Sequence, residues 1–205
     1  MNYFPILIKL DKRRVLVCGS NDEAVFKIRI LLKSSAEIFV FGSPASNKIK
    51  RWSEKKLIQY NNRLVEEKDC NNVAFAYVTL KKGTERNATL RVLTKKKILY
   101  CVVDDKLHSN FITPAIVDRN PVTVAIGSEG MAPALVRHIK AQIENILPQQ
   151  TGLVARIIGA FRPYVYRLSE SHTRRHFWAR FFNEAKSQIF SQSGAQDLET
   201  TLKKK

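Results

Sequence analysis

Short apolar runs alternate with amphipathic segments through the first half of the chain. The runs are rich in β-branched and aromatic residues, which is typical of strands buried on both faces of a parallel sheet. They cover residues 5–10, 14–18, 37–41, 57–60, 73–79 and 99–103. Helical spacing of apolar residues occurs between them, at residues 22–33, 48–56 and 85–96. This alternation predicts an open parallel sheet covered by helices on both faces.

The pattern changes after residue 113. Two short apolar strands, at 114–118 and 123–126, precede a helix predicted over 132–147, which Pro148 ends. Helical patterns follow at 153–161, 163–168 and 173–191, and the polar residues 192–205 are expected to fray. We therefore predict an α/β protein with a Rossmann-like domain at 1–113, a small α+β dimerisation region at 114–150 and a C-terminal helical domain with a basic tail at 151–205.

The charge balance is strongly basic. In 205 residues, 35 lysines and arginines stand against 18 aspartates and glutamates, a formal net charge of +17. Such a surface suits an anionic partner, whether nucleic acid, a lipid surface or a ligand with several phosphates or carboxylates, and charge alone does not choose among them. With 44% hydrophobic and 26% charged residues, the composition excludes a disordered or fibrous chain.

The cysteines and the N-terminus indicate the compartment. Cys18, Cys70 and Cys101 are odd in number, and their spacing fits neither a disulfide framework nor a thiolate zinc site. We expect Cys18 and Cys101, which lie in apolar runs, to be small buried residues. Residues 1–10 lack the features of a signal peptide, and no run approaches the ~20 apolar residues of a membrane span. We expect a soluble, cytoplasmic protein without membrane contact.

The turn after the second predicted strand is the candidate nucleotide site. A Rossmann fingerprint, G-x-G-x-x-G/A, needs its second glycine so that the backbone can approach a pyrophosphate. Here Gly19 and Ala24 fit the outer positions, whereas Asn21 places a side chain at the middle one. The acidic ribose ligand expected about 20 residues later is missing, and Ser43 followed by Pro44 stands there. The turn is either an ordinary strand-to-helix connection or an altered nucleotide site.

Several sequence blocks occur together in the order and spacing of one known family. They are FPI at residues 4–6, KIRILL at 27–32, VVD at 102–104, FITPAIVDR at 111–119, VAIGSEG at 124–130, APALVR at 132–137 and RRHFWARFF at 174–182. On these blocks the chain resembles the precorrin-2 dehydrogenase/sirohydrochlorin ferrochelatase family, the N-terminal module of siroheme synthase. The methyltransferase partner of that module is absent from this sequence, so we expect the stand-alone form.

The resemblance implies a reaction and its participants. Members of the family oxidise precorrin-2 to sirohydrochlorin with NAD as cofactor, and many then insert ferrous iron as a substrate. No pre-bound metal is implied, because the tetrapyrrole supplies the iron ligands. An anionic tetrapyrrole suits the basic composition. The family also implies a homodimer built by residues 114–150 and the C-terminal helices.

The resemblance also implies roles for particular residues. Asp104 matches the proposed catalytic aspartate, and a carboxylate at the end of a parallel strand can accept a proton as the macrocycle loses hydride. The implied cofactor-binding residues are Gly19, Ser20, Asn21, Asp22, Glu23, Ala24, Ser43, Pro44, Thr79 and Val102. The implied substrate-binding residues are Ser128, Glu129, Gly130 and Asn110. An ordinary turn or cap role is the alternative for Asp104 and Ser128.

The cofactor turn departs from the family pattern, and we expect weakened NAD binding. Asn21 stands where phosphate should meet bare backbone, and Glu23 adds negative charge to the first helical turn. Two other interpretations remain open. One is a tetrapyrrole-binding or chelatase-only relative that has lost NAD use. The other, suggested by charge alone, is a nucleic-acid-binding protein, although no helix-turn-helix, RNP or zinc motif is present.

The histidines and the late aromatic residues carry no predicted chemistry. The four histidines of the sequence, at 108, 138, 172 and 176, form no metal-ligand spacing. The aromatic residues at 177, 178, 181 and 182 recur at helical spacing, and we expect them to pack in the core or in a dimer contact.

Overall fold

The computed structural model describes residues 2–167 and 171–184. The chain divides into two compact units, Met1–Thr113 and Pro114–Lys205. The first unit contains a parallel sheet with helices, and the second contains an antiparallel hairpin with helices.

The first unit is a five-stranded sheet whose strands all run parallel. Its elements are β1 (Arg14–Cys18), α1 (Asp22–Leu31), β2 (Glu37–Phe41), α2 (Asn47–Glu54), β3 (Gln59–Asn61), β4 (Val73–Val78), α3 (Thr84–Lys95) and β5 (Tyr100–Val102), with single 3-10 turns at Glu67–Cys70 and Lys106–His108. The strand order is β3-β2-β1-β4-β5. The predicted parallel α/β sheet is therefore confirmed.

One predicted strand is wrong. Residues 5–10 form no strand, although most of them are apolar. Pro5 has no N–H to donate to a ladder, and Leu7 is 85% exposed, so the run pairs with no strand of the sheet.

Strand β1 shows why the sheet needs continuous apolar runs. Val15 and Val17 pack into one core with α1 and α2, whereas Leu16 and Cys18 pack into a second core with Leu93 of α3. Successive side chains of a strand point to opposite faces, so a strand covered on both faces must be apolar at every position. Cys18 and Cys101 follow this logic, because both lie in strands of the sheet and are buried, as expected.

The chain direction across the sheet reverses between β1 and β4. From β1 the chain moves outward to β2 and β3, and it then returns to add β4 and β5 on the other side of β1. Loops that follow β1 and β4 leave the sheet toward opposite faces, which opens a crevice between them. Open α/β sheets bind ligands in such a crevice, at the carboxyl ends of the strands.

The second unit is built on a hairpin of β6 (Ala115–Arg119) and β7 (Val122–Ile126). Helices α4 (Pro133–Ile146), α5 (Thr151–Tyr166) and α6 (Ser171–Glu184) follow. The two helices predicted at 153–161 and 163–168 are one helix, α5, which continues through Pro163. Val154 and Val165, before and after this proline, are both buried, so the helix packs on both sides of it. The predicted segments beyond residue 184 lie outside the described residues.

Two contacts hold the hairpin and the helices of the second unit together. Arg119 donates from Nε to the Leu147 carbonyl at 2.9 Å and from Nη2 to the Glu144 carbonyl at 3.3 Å, which satisfies carbonyls at the end of α4. Gly152 packs against the Asn120 carbonyl so closely that a Cβ would overlap it. Phe181 of α6 is 1% exposed in the core of this unit, in line with the packing role expected of the late aromatic residues.

None of the described helices is long and apolar enough to cross a membrane.

Candidate functional site

A cavity of about 240 Å³ lies at the carboxyl ends of β1, β4 and β5. It is lined by Asn21, Glu23, Thr79, Leu80, Lys81, Lys82, Arg86, Val103, Asp104 and Asp105. The structure thus brings together the predicted catalytic aspartate and three of the predicted cofactor-binding residues. A larger and more open groove of about 550 Å³ runs along α3, and it contains none of the predicted site residues.

The turn after β1 depends on Gly19. Its φ is +125°, and a Cβ at this position would overlap the Thr79 hydroxyl. The Gly19 N–H donates to the Phe41 carbonyl at 2.6 Å, and the Thr79 N–H donates to the Cys18 carbonyl at 2.8 Å. The ends of β1, β2 and β4 therefore approach so closely that only glycine fits between them.

The next residue of the turn, Ser20, ties two loops together. Its hydroxyl is buried and donates to the Pro44 carbonyl at 2.7 Å. The side chains of Ser43 and Pro44 are exposed at the end of β2, where a ribose would lie in a Rossmann site. Ser20 thus shapes the turn, while Ser43 presents a hydroxyl at the surface.

Asn21 is the N-cap of α1. Its Oδ1 accepts the Ala24 N–H at 3.0 Å, and its Nδ2 donates to the Thr79 carbonyl at 2.9 Å. The side chain is folded back onto the helix, where it takes one of the amides that a phosphate would use. Within residues 2–167 and 171–184, the backbone N–H groups of Asp22 and Glu23 have no hydrogen-bond partner.

These residues fit a dinucleotide, with a weakened phosphate cradle. The glycine turn and the free amides at the start of α1 can accept a pyrophosphate, as helix N-termini commonly do. Asp22 and Glu23 are exposed in the same first turn and oppose a phosphate there. The backbone geometry therefore favours binding of a pyrophosphate, while the negative charges of Asp22 and Glu23 disfavour it.

Asp104 is placed to contact a ligand. It lies two residues beyond β5 in the left-handed region, with φ of +58°, which aspartate tolerates better than most residues. Its side chain is exposed at the cavity and makes no hydrogen bond or ion pair within the part of the chain that the structure describes. Val102, a predicted cofactor contact, is 2% exposed inside the sheet, and Val103 lines the cavity in its place.

The neighbouring Asp105, in contrast to Asp104, has two charged or polar partners. Its carboxylate pairs with the buried Arg86 of α3 and with Nδ1 of His108 at 2.9 Å. The hydrogen bond from His108, together with that from Arg86, lowers the pKa of Asp105 to about 2. Asp105 therefore anchors the loop after β5 to α3, whereas Asp104 is the carboxylate of this loop that has no partner within the described residues. Sequence analysis did not identify Arg86, because nothing local marks an arginine within a helix as buried.

Lys27, in the KIRILL block, lies in a half-buried cluster of the first unit. Its Nζ donates to Thr113 Oγ1 at 3.4 Å and lies 5.0 Å from the centre of the Tyr77 ring. Burial lowers the pKa of Lys27, and the nearby Cys101 and Asp104 partly oppose that shift. The sequence identifies the KIRILL block by its resemblance to the family, but it does not indicate that Lys27 contacts Thr113 and Tyr77.

The four predicted substrate-binding residues are divided between the two units. Asn110 lies in the first unit, where its Oδ1 accepts the Tyr100 N–H at 3.0 Å and so covers the outer edge of β5. Ser128 lies in the second unit, and its Oγ accepts the Ala132 N–H at 3.1 Å in front of α4. Glu129 and Gly130 follow it in left-handed conformations. None of these four residues lines the cavity that contains Asp104.

Two family models match the chain. Residues 6–115 match the model described as putative NAD(P)-binding, and residues 150–205 match the model described as the sirohaem synthase dimerisation region. The second match covers the segment predicted from the sequence as a C-terminal helical domain.

Curated relatives of the chain are siroheme synthases. That of Buchnera aphidicola subsp. Acyrthosiphon pisum is 36% identical over 194 residues, which cover 89% of this chain and 39% of the relative. That of Mannheimia succiniciproducens is 31% identical over 209 residues, which cover 100% of this chain and 44% of the relative. The chain thus spans about two fifths of the length of the curated relatives that it matches.

A solved structure has the same fold. The structure named SirC, precorrin-2 dehydrogenase, superposes with a TM-score of 0.71 at 22% sequence identity, covering 99% of this chain and 100% of that one. At this identity the likeness establishes the architecture of the chain.

Proposed function

Because the chain belongs to the family described as putative NAD(P)-binding and is similar to siroheme synthases, we propose that it oxidises precorrin-2 to sirohydrochlorin with NAD. The observation that carries this proposal is that the exposed Asp104 and the first turn of α1 line the same cavity. The first turn of α1 directly follows the glycine turn after β1. A proton acceptor next to a dinucleotide site is what a dehydrogenase of this kind requires.

The proposed reaction balances as loss of one hydride and one proton from the macrocycle. NAD bound at the turn after β1 would supply the hydride acceptor. Asp104 takes the proton and later releases it to water. Asp105 and Arg86 hold the loop so that the Asp104 side chain stays at the cavity. General-base assistance of this type contributes about 10²–10⁴-fold to a rate.

Further parts of the proposal concern iron and assembly. Asp104 can also accept pyrrole protons while ferrous iron, as substrate, enters the macrocycle. We place a homodimer interface in the second unit. Its helix α4 has no buried residue, and Leu135 and Ile146 are 55% and 64% exposed on it. The match of residues 150–205 to a dimerisation region supports this placement.

The direct test is an anaerobic assay of the purified protein with precorrin-2 and NAD. We expect NADH and sirohydrochlorin to appear in equal amounts. Formation of neither product by a protein that binds NAD would contradict the proposal.

A second candidate, a chelatase-only protein, is favoured by one observation. Glu23 lines the cavity, and Asn21 occupies the Ala24 amide, so both act against cofactor binding. A protein of this kind would insert ferrous iron into supplied sirohydrochlorin without binding NAD. Isothermal titration with NAD, followed by an iron-insertion assay, separates the two candidates.

A further inference from the structure

Two lysines at the cavity are not accounted for by the packing of the first unit. Lys81 and Lys82 lie in the loop between β4 and α3, are exposed, and line the cavity that contains Asp104. Within residues 2–167 and 171–184 neither ammonium group has a hydrogen bond or an ion pair. Both are therefore free to bind an anion.

The two lysines balance the negative charge of the cavity lining. Among the lining residues, Asp105 is neutralised by Arg86. Glu23 and Asp104 remain as free carboxylates, and Lys81 and Lys82 are the charges that balance them. Without the two lysines the cavity would carry a net negative charge and would repel a phosphate or carboxylate ligand.

We propose that Lys81 and Lys82 bind the pyrophosphate of the dinucleotide and replace the affinity lost in the turn after β1. This inference rests on the proposed function. Asn21 caps α1 and takes the Ala24 N–H, and Glu23 adds negative charge beside the remaining amides. Lysine carries a compact charge on a flexible stem, so it can reach an oxyanion that the backbone holds less well.

This mode of binding depends on charge more than on close backbone contact. Interactions between exposed charges weaken as salt is added, because the screening length falls from about 10 Å at 0.1 M to about 3 Å at 1 M ionic strength. We therefore expect NAD affinity to fall steeply with potassium chloride. The same oxyanion chemistry also suits a substrate carboxylate, and the experiment distinguishes the two sources.

The test compares two charge-matched double variants by isothermal titration with NAD at low and high salt. Lys81→Gln/Lys82→Gln removes the proposed site. Lys50→Gln/Lys55→Gln removes two exposed lysines, one in α2 and one at its C-cap, that do not line the cavity. We expect the first variant to bind NAD about tenfold more weakly at low salt and to lose most of the salt dependence. The α2 variant should bind as the parent protein does.

Three outcomes would overturn the inference. If Lys81→Gln/Lys82→Gln binds NAD as tightly as the parent with the same salt dependence, the lysine assignment fails while the proposed function stands. If that variant loses affinity for uroporphyrin, used as a polycarboxylate probe, but not for NAD, the lysines serve the substrate instead. If the parent binds no NAD at all, both the inference and the proposed dehydrogenase function fail.

Discussion

Two adjacent aspartates at the end of β5 have opposite environments. Asp104 is exposed at the cavity and unpaired within the described residues, whereas Asp105 is bonded to Arg86 and His108. The left-handed backbone at Asp104 turns the chain, so that the two carboxylates serve different purposes. One is available for chemistry, and the other holds the loop.

Replacing Asp104 should affect activity and not stability. We expect Asp104→Asn to reduce precorrin-2 oxidation by about 100-fold or more, because the amide cannot accept the proton. Asparagine also tolerates a positive φ, so the midpoint of thermal unfolding should stay within a few degrees of the parent. An activity assay paired with a melting curve measures both quantities. A variant with parental turnover would exclude Asp104 as the base.

Asp105 should make stability depend on pH in the acid range. Its pKa falls from an ordinary value near 3.9 to about 2 in the folded protein, so the folded state favours the charged form. The stabilisation is fully present above about pH 4 and is lost as pH falls toward 2. Urea unfolding at pH 6, 4 and 3 should show Asp105→Asn less stable than the parent by a margin that narrows only at the lowest pH. A margin that does not change with pH would contradict this.

At the scale of elements, the turn from β1 into α1 combines a strict steric demand with an unfavourable charge. Gly19 is required by contact with Thr79, and Asn21 stabilises the start of the helix. Glu23 favours the helix dipole but opposes an anion at the same end. The turn from β1 into α1 therefore stabilises the fold but weakens phosphate binding.

Removing the glycine should disrupt this element. We expect Gly19→Ala to lower the free energy of unfolding by more than about 2 kcal/mol, because its Cβ would overlap Thr79 in a conformation that alanine avoids. Gly83→Ala is the matched control, since Gly83 has φ of +156° but open space around its Cβ position. Denaturant unfolding of both variants separates overlap from backbone strain. Equal losses would show that the contact with Thr79 is unimportant.

Neutralising the first turn of α1 should strengthen cofactor binding. Each of the effects of Asn21 and Glu23 is worth about 1 kcal/mol, and every 1.4 kcal/mol is tenfold in affinity. We expect Glu23→Gln to tighten NAD binding by about 3–10-fold and Asn21→Gly/Glu23→Val by about 10–100-fold. Titration calorimetry measures this, with Glu54→Gln of α2 as control. Unchanged affinity in the double variant would show that the turn does not limit binding.

At the scale of the whole molecule, the exposed apolar residues of α4 predict self-association. We expect a homodimer at micromolar concentration, and we expect Leu135→Glu/Ile146→Glu to shift it to monomer because a charge cannot be buried in an apolar contact. Ala141→Glu, at an exposed position on another face of the same helix, should leave the dimer intact. Sedimentation equilibrium distinguishes these cases. A monomeric parent protein would contradict the assembly.

The apolar pattern of the sequence is sufficient to predict the class of fold and the edge of the sheet where Gly19 and Asp104 lie. Continuous apolar runs separated by helical patterns require strands that are buried on both faces, and Gly19 and Asp104 both follow such runs. Because the carboxyl ends of parallel strands lie along one edge of the sheet, residues after different strands were expected to converge there. This reasoning holds wherever a feature depends on local pattern and strand direction.

What each of these residues contacts depends on the packing of elements that are distant in the sequence. Arg86 and Asp105 are 19 residues apart and pair because α3 packs beside the end of β5, and no local pattern encodes that contact. Lys81 and Lys82 appear in the sequence as part of an ordinary polar loop, and the strand order brings them to the same cavity as Glu23 and Asp104. Periodicity reports which face of an element is buried. The pairing of charges depends on which elements become neighbours, and that is settled when the whole sheet assembles.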